Sequence, residues 1–334
     1  MGGQGGKPYR TTRARRIPAP AAALLPALAL LASCSTAPKG GGIVYDVKNK
    51  AAEFAKLGDG FMATGQYESA LGYYDQALRA CKSVDDLAGA SAVQASIGRG
   101  YASAGMAAEA RAAFEDSLER AVAARSAAAE AVALSGMGEL SYADGDATRA
   151  LELFARAIEK VAPGGKEPKE AAAGKALAVA LHDAAVAKAA LGRKAEALAD
   201  LERAQSLNLK ALRWVELAAN RYVLASIRAS EDRLEEALAA ALAALEADKS
   251  AENGRGVAGD LAAAGRLAAR LGRPEEAYGY WRRSLDAAIA VDEAKAARAA
   301  LEALVPLADS LGRKADSERY AALLKKLGDI TSAP

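Results

Sequence analysis

The 334-residue sequence predicts an all-α solenoid of about seven helix–turn–helix units. Three observations carry the prediction. Alanine, the strongest helix former, fills about 90 positions, while aromatics make up only 5% and β-branched residues are scarce. Glycines suited to tight turns recur at a nearly constant step from Gly65 to Gly312. Along each step, small and bulky residues return in the same order. A β-sandwich or barrel is excluded by this composition. So is a disordered chain, because 52% apolar residues at a net charge of +2 can fill a core.

In chain order, the first element is an address. Lys7, Arg10, Arg13, Arg15 and Arg16 precede an apolar run from Ile17 to Ala32, and no acid occurs before Asp46. A basic segment followed by such a core fits a secretory signal peptide over residues 1–33. The run is shorter than the roughly 20 residues a spanning helix needs, and Pro18, Pro20 and Pro26 interrupt it. A short uncleaved anchor is the alternative. The run ends Leu31-Ala32-Ser33-Cys34, which resembles the lipobox of bacterial lipoproteins. That resemblance implies lipid on the Cys34 sulfur, cleavage after Ser33 and acylation of the new amine, enough for stable anchoring. An ordinary cleavage site that happens to contain a cysteine is the other reading. Ser35 is not the Asp that marks inner-membrane retention in enteric bacteria, so the periplasmic face of an outer membrane is favoured in a two-membrane host. Residues 34–50, rich in Pro, Gly and small side chains, are expected to form the lipidated cysteine and a flexible tether.

The repeats follow. Taking Ala51 as position 1, Phe54, Leu57, Gly58, Phe61, Gly65, Tyr67, Ala70, Tyr74 and Ala77 fall at 4, 7, 8, 11, 15, 17, 20, 24 and 27. This pattern resembles the tetratricopeptide repeat, a helix–turn–helix unit with large residues at 4, 11, 17 and 24 and small ones at 8, 20 and 27. The resemblance implies a right-handed superhelix, in which small residues let paired helices approach and aromatics fill the space between units. The frame recurs at Gly98, Gly105 and Phe114, then at Gly138, Gly145 and Phe154. Gly192, Asp232, Gly272 and Gly312 continue the turns, so the steps are 40, 40, 47, 40, 40 and 40 residues. The units cover residues 51–328, leaving 329–334 as a disordered tail. The seventh departs most, with Val305-Pro306 at the close-packing position. Six units plus a capping hairpin is the alternative count.

A 40-residue unit exceeds the 34-residue standard, which predicts longer helices and longer links between repeats. The 47-residue step contains Pro163, Gly164, Gly165 and Pro168, an exposed insertion near 163–168. It is read as a rim insertion, with a hinge as the alternative.

In tetratricopeptide proteins the first helix of each unit lines the concave face, where positions 2, 5, 9, 12 and 13 touch the ligand. Carried over, those positions name Asp59, Met62, Arg99, Glu139, Tyr142, His182, Tyr222, Ser226, Arg266 and Arg270 as the candidate groove. Glu302, Asp309 and Val186 share the frame, and most other groove positions are Ala, Ser or Gly. Position 9 holds no Asn, which disfavours the carboxylate clamp of chaperone-binding members. His182, the single histidine, is expected to be a partly exposed groove residue. Cys81 is expected to be a buried thiol and Tyr67, Tyr74 and Trp281 core residues, while Trp214, ahead of the fifth repeat, is left open to exposure. Glu235-Glu236 and Glu275-Glu276 open second helices, where acids favour the N-terminus.

One His and two Cys leave no room for a zinc site of His and Cys ligands. Phosphate-loop, dinucleotide and nucleophile-elbow motifs are absent. No catalytic residue, metal or cofactor is expected, and the chain reads as a non-enzyme. The resemblance implies a lipid-tethered scaffold in a bacterial cell-envelope complex, holding a protein or peptide partner in its groove. A solute-handling component of a transport system, with a small ligand in the groove, is the alternative. Removing residues 1–33 leaves 39 Lys+Arg against 42 Asp+Glu, a net charge of −3. The apparent basicity belongs to the leader, so charge offers no argument for a nucleic-acid partner.

Overall fold

The computed structural model describes residues 42–331, and among them every regular element is helical. Fourteen α-helices pair in order: α1 (Ile43–Ala63) with α2 (Tyr67–Ser83), and α3 (Leu87–Ser103) with α4 (Ala107–Ala123). Next come α5 (Ala127–Ala143) with α6 (Ala147–Val161), and α7 (Ala171–Ala190) with α8 (Lys194–Lys210). The last three pairs are α9 (Trp214–Ser230) with α10 (Leu234–Ser250), α11 (Gly254–Arg270) with α12 (Pro274–Ala290), and α13 (Ala294–Ser310) with α14 (Lys314–Thr331). Each helix packs on its neighbours in sequence, and the first helices of successive repeats also touch. The architecture is an α-solenoid of seven repeats.

The turns explain the register. Gly65, Gly105, Gly145, Gly192, Gly272 and Gly312 all adopt positive φ, from 70° to 90°, and Asp232 does so at 59°. A left-handed residue ends a helix without steric cost when it is glycine. The links between repeats use the same conformation without glycine: Asp85, Arg125, Leu212, Glu252 and Asp292 sit at φ 52–53°. From α8 to α13 every helix is 17 residues long and every link has three. The longer inter-repeat link that the 40-residue unit suggested is therefore not found, and the helices carry the length. Asp86, Ser126, Asp146 and Asn253 cap helices by accepting from the backbone N–H three residues on.

The core is built on one contact repeated. In four repeats residue 8 of the frame meets residue 24, in Gly58 with Tyr74, Gly98 with Phe114, Gly138 with Phe154 and Gly265 with Trp281. Ala185 with Leu201 and Ala225 with Ala241 take these places in the fourth and fifth repeats, all buried. Tyr74 and Trp281 are core residues, as is Cys81, whereas Tyr67 is only partly buried. Trp214 is not exposed but half-buried against Leu217 and Ala244.

Two boundaries need correcting. The array begins at Ile43, inside the expected 34–50 tether, because Lys48 pairs with Asp86 at 3.3 Å and Ala51 and Ala55 bury against the second repeat. At the other end α14 runs to Thr331, so residues 329–331 of the expected tail are helical. Cys34, the leader 1–33 and residues 332–334 lie outside the described residues. Pro163–Gly165 forms a single exposed 3-10 turn. One apolar cluster passes across it, from Leu153, Val161 and Ala162 to Ala173 and Leu177. Among the described residues no helix is long and apolar enough to cross a membrane.

Candidate functional site

The first helices of repeats one to five, α1, α3, α5, α7 and α9, line a cavity of about 770 Å³. Segment 168–170 and the end of α8 complete its wall. Most of the lining is small, for example Ala52, Ala92, Ala128, Ala172 and Ala219. That follows from the alanine-rich sequence: short side chains on the inner helices leave space that larger ones would fill.

Polar groups punctuate this surface. Arg99 on α3 reaches Glu139 on α5 with two contacts of 3.3 Å, Nε to Oε2 and Nη2 to Oε1. Burial works against the Arg99 charge, but Glu139, Asp183 and Tyr74 outweigh it and raise its pKa. Beneath this pair, burial and then Glu139 push the Asp183 carboxyl well above the carboxylate range, and its Oδ2 has no hydrogen-bond partner. Tyr74 donates to Asp59 Oδ1 at 2.8 Å, and burial raises the phenol's pKa.

Lys175 on α7, with Arg213 and Glu216 at the start of α9, forms a second charged group on the cavity wall. Burial pushes the Lys175 ammonium down, Glu216 pulls it back, and Arg213 and Arg99 oppose it. Burial likewise lowers Arg213, with Glu216 opposing. Ser135 on α5, 1% exposed, lines the same space with its hydroxyl unpartnered.

Of the candidate groove residues, the structure brings Arg99 and Glu139 to the cavity wall. Asp59 and Met62 are buried in the first repeat. Tyr142 packs half-buried against Phe154 and Ala184, which raises its pKa. His182 is not partly exposed: it is 4% accessible, its Nδ1 is 2.6 Å from Asn220 Oδ1, and burial lowers its pKa. Tyr222, Ser226, Arg266 and Arg270 stand apart from the cavity lining. Arg266 donates to Tyr222 Oη at 3.4 Å and covers Trp281, while Arg270 donates to the Ala229 carbonyl and Asp232. Ser226 is exposed. The second half thus uses its basic groove residues to tie one repeat to the next.

Lys175, Arg213 and Glu216 escape the positional frame because the helices of this long unit begin before position 1. In the fifth repeat the frame starts at Ala218, whereas α9 starts at Trp214. Charged residues at the helix starts ahead of position 1, Lys175 after Ala171-Ala172-Ala173-Gly174 and Arg213 and Glu216 around Trp214, were the available signal. Among the described residues no group of three potential metal ligands gathers.

The described fold is a solenoid of the tetratricopeptide type. A tetratricopeptide repeat family model matches residues 51–121. No protein of curated function matches the chain. Among solved structures, apo RapI is similar with a TM-score of 0.63 at 13% identity, covering 87% of this chain and 78% of that one. BtubC from P. vanneervenii is similar at TM-score 0.58 and 18% identity, over 67% and 91% of the two chains. A Rap protein complexed with competence and sporulation factor is similar at 0.55 and 15%, over 86% and 77%. At these identities the likeness is one of fold.

Proposed function

We propose that the chain is a membrane-tethered scaffold whose inner face holds a peptide segment of a partner in the bacterial cell envelope. The observation that carries this reading is the cavity shared by five successive inner helices, with Arg99 and Glu139 presented in alanine-lined walls. A solenoid is suited to the task because each added helix extends a continuous concave surface. The fold likeness to a Rap protein crystallised with competence and sporulation factor is consistent with it. The tether rests on Leu31-Ala32-Ser33-Cys34.

Two measurements test the reading. Cys34→Ala releases the protein from the membrane fraction, and a variant that stays membrane-bound overturns the tether. A photo-crosslinking residue at Val179, on the cavity wall, is expected to capture an envelope protein in the lipidated full chain, and the same probe at exposed Arg282 is not. Equal labelling from both sites overturns the groove. A second reading, solute handling, is favoured by the cavity volume, which lies within the roughly 300–1,000 Å³ of small-ligand pockets. Capture of transporter subunits alone from Val179 decides for it.

A further inference from the structure

Most charges lining the cavity are either paired or exposed. Lys48 is paired with Asp86, Arg99 with Glu139 and Lys210 with Glu167, while Lys169 and Glu170 are exposed. Lys175, Arg213 and Glu216 are different: among the described residues none of their side chains makes a hydrogen bond or an ion pair. Arg213 Nε and Glu216 Oε1 are fully enclosed without a partner, and Glu216 is only 8% exposed. Nearby in the same cavity the Ser135 hydroxyl is enclosed and unpartnered as well.

Enclosing charge without neutralising it at hydrogen-bond range is unfavourable. The groups sense one another's charge, yet they stand too far apart to satisfy one another. A ligand of a single sign does not resolve this. An anion that meets Lys175 and Arg213 is repelled by Glu216, and a cation that meets Glu216 is repelled by the two basic groups. A molecule carrying both signs neutralises all three.

We propose that this wall recognises the ammonium and carboxylate of a free amino acid or short peptide, Glu216 accepting from the ammonium and Lys175 with Arg213 donating to the carboxylate. The guanidinium fork suits a carboxylate, and the lysine adds a mobile point charge. The surrounding Ala52, Ala92, Ala128 and Ala219 give no polar contact to a side chain, so selection falls on the termini. A cavity of about 770 Å³ takes a few residues and not a folded domain. The inference rests on the reading that the inner cavity is the binding site; a ligand free at both ends is a small solute, the second of the two readings, and not a segment of a partner protein.

The test is calorimetric titration of the full chain with L-alanine, dialanine and trialanine, each also N-acetylated and C-amidated. Free-ended forms are expected to bind, the tightest length separating amino acid from peptide. Blocking either end weakens binding by about tenfold or more. Glu216→Gln loses the penalty for N-acetylation, and Lys175→Met reduces the penalty for amidation. Thermal melts confirm that both variants fold, and the neutral, size-conserving Glu216→Gln stands if Lys175→Met does not. Capped peptides that bind as tightly as free ones, or free-ended binding unchanged in Glu216→Gln, overturn the ligand class and leave the cavity as the site. Absence of binding by every form at millimolar concentration also overturns it, while crosslinking from Val179 decides the scaffold reading separately.

Discussion

Gly138 on α5 and Phe154 on α6 lie closer than any side chain at 138 would permit: a Cβ there would stand 2.4 Å from the ring carbon Cε1. The same approach joins Gly58 to Tyr74 at 2.5 Å and Gly98 to Phe114 at 2.8 Å. The spacing between paired helices is therefore set by a missing methyl group facing a ring. Gly138→Ala is expected to lose up to about 2 kcal/mol, since overpacking costs about 1–3 kcal/mol and helix propensity returns about 1 kcal/mol. Gly60, on the same kind of helix, has nothing within 4 Å of its would-be Cβ. Gly60→Ala is expected to gain up to about 1 kcal/mol. Urea midpoints of the two variants in parallel decide the matter: equal shifts would remove the steric account.

The links between repeats hold ordinary residues in a left-handed conformation. Leu212 is the clearest case, at φ 53° and 67% exposed, with little burial to offset the strain. Leu212→Gly is expected to raise stability by about 0.5–1 kcal/mol, the αL penalty less the added freedom of the unfolded chain. Gly145→Ala, at φ 90°, is expected to lower it by about 1 kcal/mol or more. Thermal melting of both variants reads these opposite signs.

Asp248 on α10 and Asp260 on α11 are buried together, with Asn253 Nδ2 donating to Asp248 Oδ1 at 2.9 Å. Burial and then Asp248 push the Asp260 carboxyl up to about 9, and burial pushes Asp248 up to about 6. The folded chain therefore keeps a proton that the unfolded chain releases near its ordinary value of 3.8. The stability this proton supports is full below about pH 4 and is lost as pH rises through about 9. Asp260→Asn is expected to flatten the profile, its advantage over the parent growing by about 1 kcal/mol per pH unit between pH 5 and 8. Melting temperatures at pH 5, 7 and 9 check it. A constant difference across that range would refute the shared proton.

Lys175 charges at a cost, because burial disfavours its ammonium more than Glu216 favours it. Lys175→Met is expected to melt a few degrees higher than the parent while binding less well, the exchange seen where a site is held for function at the expense of stability. A variant that melts lower would mean that the charge supports the fold.

The periodic features were legible because they repeat. Turn positions from Gly65 to Gly312, and the facing pairs such as Gly138 with Phe154, depend on contacts within one repeat whose spacing the chain writes out several times. Burial that depends on a neighbour about 40 residues away was not legible. His182 is enclosed because Asn220 provides its partner from α9, and Lys175 shares a wall with Arg213 and Glu216 only because α7 and α9 flank one cavity. The early start of α1 depends in the same way on Asp86, which receives Lys48 from the next repeat.

The uniform step from α8 to α13 has a consequence for how such a chain changes. Because each unit repeats the same helix lengths and the same three-residue links, insertion or loss of a whole unit would keep every remaining neighbour in register. Insertion of a few residues inside a helix would not. The molecule is thus a ruler graduated in single units, whose reach can be altered by copying without redesigning any joint.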